Sequence, residues 1–157
     1  MADDFQPRTV AVIGAGAVGS YYGARLAQAG HDVRFLMRRD YDAVANGGLH
    51  IESVDGDFTL DAPSIARSSE QIGPVDWVIC ALKTTSIDDA RALVTPCVGE
   101  GTQILVLMNG IGLEEQFAQW FGAERIFGGL AFTCINRHEP GAIHHIDYGP
   151  ITIAHLG

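Results

Sequence analysis

Val10-Ala-Val-Ile-Gly-Ala-Gly-Ala-Val-Gly19 decides the fold. A short apolar run enters a Gly-x-Gly-x-x-Gly turn made by Gly14, Gly16 and Gly19, and a helical pattern begins at once. In that order each glycine has a task. Gly14 permits the tight turn, Gly16 lets backbone approach a pyrophosphate, and Gly19 lets the helix lie close to the strand. The free N–H groups at the helix start, with the positive end of its dipole, then face an anion. Three glycines at this spacing arise by chance in a chain that holds 19 of them. The strand before and the helix after make the stretch a dinucleotide site, lined by Gly14, Ala15, Gly16, Ala17, Val18 and Gly19.

Outward from this turn the pattern alternates. Val18, Tyr22, Leu26 and Ala29 fall at helical spacing, Gly30 is a stop signal, and Val33–Met37 reads as a second strand. The resulting βαβ unit is expected to be right-handed. Leu49–Ser53 and Asp57–Leu60 read as two short strands around an Asp55-Gly56 hairpin signal. Val75–Leu82 is nearly all apolar, as a central parallel strand covered on both faces would be. Ser86-Ile-Asp-Asp89 resembles a capping box, opening a helix that turns Ile87, Ala90 and Val94 inward. Ile104–Met108 reads as another buried strand, and Glu114 and Glu115 suit the first turn of the next helix. Beyond Arg125 only strands are expected, at 126–135, 142–146 and 151–154, with turns at Pro140-Gly141 and Gly149-Pro150. The fold expected is a Rossmann-like, doubly wound α/β domain with a mostly parallel sheet and additional antiparallel strands at its C-terminal side.

A chain of 157 residues is enough for one domain with a real core and too short for two full ones. Its 47% hydrophobic and 18% charged content is that of a globular protein rather than a disordered one. No apolar run approaches the roughly 20 residues of a membrane span, and the N-terminus lacks the basic and apolar regions of a signal peptide. Cys80, Cys97 and Cys134 are an odd number without metal-like spacing. Cys80 and Cys134 sit in apolar segments and read as buried, reduced thiols of a cytoplasmic protein. A net charge of −9 argues against nucleic acid as a partner, since phosphate binding needs a basic face. An acidic protein that binds an anionic cofactor must concentrate its few cations at the site.

NAD enzymes place an Asp or Glu about 20 residues past the glycine turn, where it binds the adenosine ribose. Here the second strand ends in Met37-Arg38-Arg39, with Asp40 only afterwards. A guanidinium binds a 2′-phosphate bidentately where a carboxylate would repel it, so Arg38 favours NADP over NAD. The competing reading is a solvated arginine pair with Asp40 capping the following helix. Lys83, the only lysine, directly follows the third buried strand, and Asn109 follows the next one in Met108-Asn-Gly-Ile-Gly112. Ligands of open α/β sheets bind beyond the carboxyl ends of the strands, so both residues are aimed at the crevice. Taken singly, Lys83 reads equally as an exposed strand-end lysine and Asn109 as a turn residue. An asparagine there can hydrogen-bond a carboxamide, a ribose or a substrate carbonyl.

Gly14–Gly19, Gly30-His-Asp-Val33 with Arg38 at the strand tip, Ala81-Leu-Lys-Thr84, Asn109–Gly112 and Gly141-Ala-Ile-His-His145 together resemble the ketopantoate reductases (2-dehydropantoate 2-reductases), in family order. The resemblance covers essentially the whole chain. It implies a protein of two domains, this one binding the nucleotide and an all-helical one following. It implies that NADPH gives a hydride to the keto carbon of ketopantoate, making pantoate for pantothenate biosynthesis. It places the pyrophosphate on Gly14–Gly19, the 2′-phosphate on Arg38, and Lys83 and Asn109 at the nicotinamide end, with Asn109 also close to substrate. Thr133-Cys134-Ile135 should pass near the nicotinamide. The family's general-acid lysine lies in the helical domain, so no catalytic residue is expected in this chain. Taken alone, the chain is expected to bind cofactor without turnover, and to leave apolar surface that favours a homodimer.

His144-His145 invites a metal reading, but neighbours on a strand point to opposite faces and cannot both reach one ion, so no metal is expected. Ser20 and Cys134 lack a visible base partner for nucleophilic catalysis. Trp77 and Trp120 read as packing residues. Two alternatives stay open: a related NADP-dependent reductase of another keto acid or imine, and a stand-alone nucleotide-binding or sensor domain without catalysis.

Overall fold

The apolar runs become strands and the amphipathic runs between them become helices. In chain order they are β1 (Thr9–Ile13), α1 (Ala17–Gln28), β2 (Asp32–Leu36), α2 (Tyr41–Gly47), β3 (Leu49–Ser53), β4 (Phe58–Leu60), β5 (Ser64–Ala66), α3 (Ser69–Ile72), β6 (Val75–Cys80), α4 (Ile87–Val94), β7 (Val98–Val106), α5 (Leu113–Phe121), β8 (Ile126–Glu139) and β9 (Ala142–His155). The computed structural model describes residues 4–157. They build one nine-stranded sheet in the order β4-β3-β9-β8-β7-β6-β1-β2-β5. The strands from β5 to β8 are parallel to one another. The β8–β9 and β3–β4 pairs are antiparallel, and β3 runs parallel to β9.

Both faces of the parallel part are covered. On one side α3, α4 and α5 close over Ala11, Ile13, Val78, Cys80, Ile104, Val106 and Phe117. On the other, α1 and α2 close over Val10, Val12, Phe35, Met37, Leu49 and Ile51. Phe35 and Phe117 are wholly buried, and a side chain of that size contributes roughly 1.5–3 kcal/mol on leaving water. No helix among the described residues is long and apolar enough to cross a membrane.

The structure alters several local expectations. The stripe of α1 that meets the sheet is Gly19, Ser20, Tyr21, Gly23 and Ala24, while Val18, Tyr22 and Leu26 are only half-buried and Ala29 is exposed. The helix lies so near the sheet that a Cβ on Gly23 would come within 2.6 Å of the Phe35 ring. Gly19, Gly23 and Ala24 therefore make the close contact with Tyr21 buried beside them, which shifts the apparent apolar phase. Ser86 stands at the N-cap of α4 but makes no side-chain cap bond. Its amide closes a tight turn onto the Lys83 carbonyl at 2.8 Å, which takes the backbone out of the extended conformation that a capping serine uses. Gly149-Pro150 is not a chain reversal. It marks an irregularity inside the single 14-residue strand β9, at Tyr148 (φ 61°) and Gly149.

The cysteines also redistribute. All three are free, but Cys80 and Cys97 are buried whereas Cys134 is exposed. Cys134 lies on the part of the β8–β9 ribbon that runs beyond β7, where no helix covers its outer face. Burial pushes the Cys80 thiol up to about 12 and the Cys97 thiol up to about 11. On the same ribbon Leu130, Phe132, Tyr148 and Ile153 are each more than half exposed.

Candidate functional site

The glycine turn joins β1 to α1 at the carboxyl end of the sheet, and its three glycines differ in kind. Gly14 has φ +96°, and a Cβ there would meet the Ala81–Leu82 backbone at 2.6 Å, so both conformation and space require glycine. A Cβ on Gly19 would stand 2.1 Å from the Gly14 carbonyl oxygen, which shows how tightly the first turn of α1 sits on the loop. Gly16 is the opposite case. Nothing lies within 4 Å of a Cβ placed there, and the residue is exposed. Gly16 is also the N-cap of α1 and no side chain caps this end, leaving the first N–H groups of the helix for an outside acceptor. Two bonds fix the loop. The Ser20 hydroxyl donates to the Ala15 carbonyl at 2.9 Å, and the Ala81 amide donates to the Ile13 carbonyl at 2.8 Å.

In front of the turn is a cleft of about 230 Å³ lined by Gly14, Ala15, Gly16, Leu36, Met37, Arg38, Arg39, Asp40, Leu82, Leu93 and Arg137. The expected residues Gly14, Ala15, Gly16 and Arg38 thus share one cleft, with Ala17, Val18 and Gly19 forming the first turn of α1 behind it. Arg38 and Arg39 are exposed, and neither forms an ion pair among the described residues. Asp40 is buried and does not cap α2 through its side chain. One carboxylate oxygen is 2.8 Å from the Arg137 guanidinium, and the other accepts the Gly141 amide at 3.2 Å. The acid at the tip of β2 is therefore already neutralised, and the free charges on this wall are positive. Nothing in the local sequence around Asp40 shows this, because Arg137 arrives from the far end of β8.

Lys83 and Asn109 stand at the ends of adjacent parallel strands, as expected for the crevice side of the sheet. Lys83 is exposed and does not line the glycine cleft. Asn109 lines a separate hollow of about 420 Å³ beyond β7 and β8, with Gly110, Glu114, Gly128, Leu130, Thr152 and His155. The two strand-end loops are tied together where the Thr84 hydroxyl donates to the Asn109 carbonyl. The arrangement is a positively lined cleft at an uncapped helix start at one end and a polar hollow holding Asn109 at the other.

Two further features fall outside this site. An apolar hollow of about 390 Å³ lies on the α1 face under Trp77, Ile79, Leu105, Leu107, Ile151 and Ile153. Arg8, Arg25 and His31 also line it, and it shares no residue with the glycine cleft. His144 and His145 point to opposite faces: His145 is fully buried, bonded to the Ser53 hydroxyl at 2.7 Å and to the Tyr148 carbonyl, while His144 is partly exposed near Glu52.

Comparison with known proteins identifies the family. A family model described as ketopantoate reductase PanE/ApbA matches residues 10–157. A 2-dehydropantoate 2-reductase of Nostoc sp. is 44% identical over 146 residues, covering 93% of this chain and 46% of that protein. The crystal structure of a 2-dehydropantoate 2-reductase from Geobacter metallireducens superposes with a TM-score of 0.92 at 51% identity, over 94% of this chain and 49% of that one. A 2-dehydropantoate 2-reductase from Methylococcus capsulatus gives 0.85 at 35% identity, over 92% and 47%. This chain thus spans about half the length of the relatives it matches. Family model, sequence identity and fold agree: the chain belongs to the ketopantoate reductase family, an oxidoreductase family, and corresponds to its N-terminal half.

Proposed function

We propose that this chain is the NADPH-binding domain of a 2-dehydropantoate 2-reductase. The observation that carries the cofactor assignment is the cleft itself: an open Gly16 at an uncapped helix start, facing two unpaired arginines, with the nearby acid already neutralised. The amides of Gly14–Gly19 hold the pyrophosphate and Arg38 holds the 2′-phosphate. The dinucleotide then extends past Leu82 toward Lys83 and Asn109, which take the nicotinamide end, with Asn109 also reaching the substrate. When bound, NADPH supplies a hydride for the keto carbon of a 2-keto acid, ketopantoate.

The residues of this chain position and orient, and the proton comes from elsewhere. Hydride transfer to a ketone builds alkoxide charge that needs a donor. We assign that donor to a lysine in a second, helical domain, in keeping with relatives about twice as long. Asn109 can offer the carbonyl a hydrogen bond but no proton for the product hydroxyl. The buried free thiols suit the cytoplasm. The exposed Leu130 and Phe132, alternate residues on one face of β8, mark the face through which the chain taken alone forms a homodimer.

The test is turnover. A complete protein carrying both domains should oxidise NADPH only when ketopantoate is present, and the 157-residue chain should bind NADPH without oxidising it. Turnover by the 157-residue chain would overturn the placement of the acid. A complete protein that ignores ketopantoate but reduces another keto acid or an imine would overturn the substrate.

A further inference from the structure

We propose that Arg137 is a specificity-determining residue of the cofactor cleft, acting by holding Asp40 in an ion pair; this rests on the assignment of the cleft to NADPH. Asp40 follows Arg38 and Arg39 at the tip of β2, in the region where an acidic side chain selects NAD by binding the ribose hydroxyls and repelling a 2′-phosphate. Left free, this carboxylate would work against Arg38. It is not free. Its side chain is nearly buried, with one oxygen on the Arg137 guanidinium at 2.8 Å and the other on the Gly141 amide at 3.2 Å.

The fold explains why Arg137 can do this. β8 continues beyond β7 as a long ribbon with β9, and the Pro140-Gly141 turn of that ribbon lies against α2. A Cβ on Gly141 would sit 3.4 Å from Val44 and 3.3 Å from the Gly48 carbonyl. The turn thereby brings the Gly141 amide and the Arg137 side chain to Asp40 from the same side. Arg137 keeps about a third of its side chain exposed and lines the cleft with Arg38 and Arg39. One guanidinium therefore cancels the discriminating acid and adds to the positive wall that receives the 2′-phosphate.

Fluorescence titration with NADPH and NADH separates this from a scaffolding role. Wild type should prefer NADPH. Arg137→Gln should weaken NADPH by about tenfold to a hundredfold and leave NADH unchanged or tighter, the loss expected of one charge-assisted contact. Arg137→Lys should keep the preference. Adding Asp40→Asn to Arg137→Gln should restore most of the NADPH affinity, because the carboxamide still accepts the Gly141 amide while the repelling charge is gone. Equal losses for both cofactors, or no recovery in the double variant, would overturn the proposal. If Arg137→Gln fails to fold, Asp40→Asn alone decides, since it frees Arg137 and should raise the NADPH-to-NADH preference. An unchanged or lower preference would overturn the proposal. A wild-type protein with no preference for NADPH would instead overturn the cofactor assignment beneath it.

Discussion

Replacing Gly16 and Gly19 separately with alanine distinguishes a glycine kept for the ligand from one kept for the fold. At Gly19 the added methyl would stand 2.1 Å from the Gly14 carbonyl oxygen and 3.1 Å from Val12, so the start of α1 must move off the loop by more than an ångström. Overpacking of this kind costs about 1–3 kcal/mol. For a chain of this size that lowers Tm by roughly 2–12 °C. At Gly16 the methyl meets nothing within 4 Å, and φ is −79°, outside the left-handed region that favours glycine. An alanine N-cap loses roughly 1 kcal/mol relative to glycine. The stiffer unfolded chain returns about 0.4–1 kcal/mol, leaving stability nearly unchanged. The methyl does occupy the space through which a pyrophosphate would reach the helix amides. Losing one charge-assisted bond of about 1.5–3 kcal/mol weakens NADPH about tenfold to 150-fold. Thermal melts followed by circular dichroism and NADPH titrations give both readouts. A Gly16→Ala protein that melts and binds like wild type would refute the role given to the open glycine.

Other expectations follow from single residues. Arg38→Ala should weaken NADPH by about tenfold to a hundredfold while sparing NADH, and equal losses in the two titrations would count against a 2′-phosphate contact. The folded protein holds the buried Cys80 proton to about pH 12, whereas an unfolded chain releases it near the ordinary value of 9.0. Stability from this thiol is thus intact below about pH 9 and falls as pH rises from there, by up to about 1.4 kcal/mol per pH unit. Denaturant melts across that range should show the decline and its flattening in Cys80→Ala; an equally steep variant would remove Cys80 as the cause. Light scattering on the 157-residue chain should show a dimer that Phe132→Ser, at an exposed ribbon position, shifts toward monomer. A monomer at high concentration would rule the ribbon out as a self-association face.

The parallel half of the sheet was legible because each of its main strands is an apolar run covered on both faces, as in Val10–Ile13 and Val75–Cys80. The glycine turn was legible because strand, spacing and helix agree locally. The phase of α1 was not, since the close helix–sheet contact runs through Gly19, Gly23 and Ala24, which carry almost no apolar signal of their own. The length of β9 was hidden by Gly149-Pro150, which reads as a turn but is absorbed as an irregularity, with pairing to β8 before and after it. Cys134 sits in an apolar segment but on the ribbon's uncovered side. That Arg38 lines the cleft could be read from its place at a strand tip. The neutralisation of Asp40 could not, because it depends on where a distant hairpin comes to rest.

If the cleft before Gly16 and Arg38 receives a 2′-phosphorylated dinucleotide, NADPH and NADH must differ in affinity. Equilibrium titration of the purified protein with NADPH and with NADH, at one salt concentration, tests it most directly. Saturable binding with NADPH at least tenfold tighter than NADH is predicted. No binding, or equal affinity for the two, would contradict it.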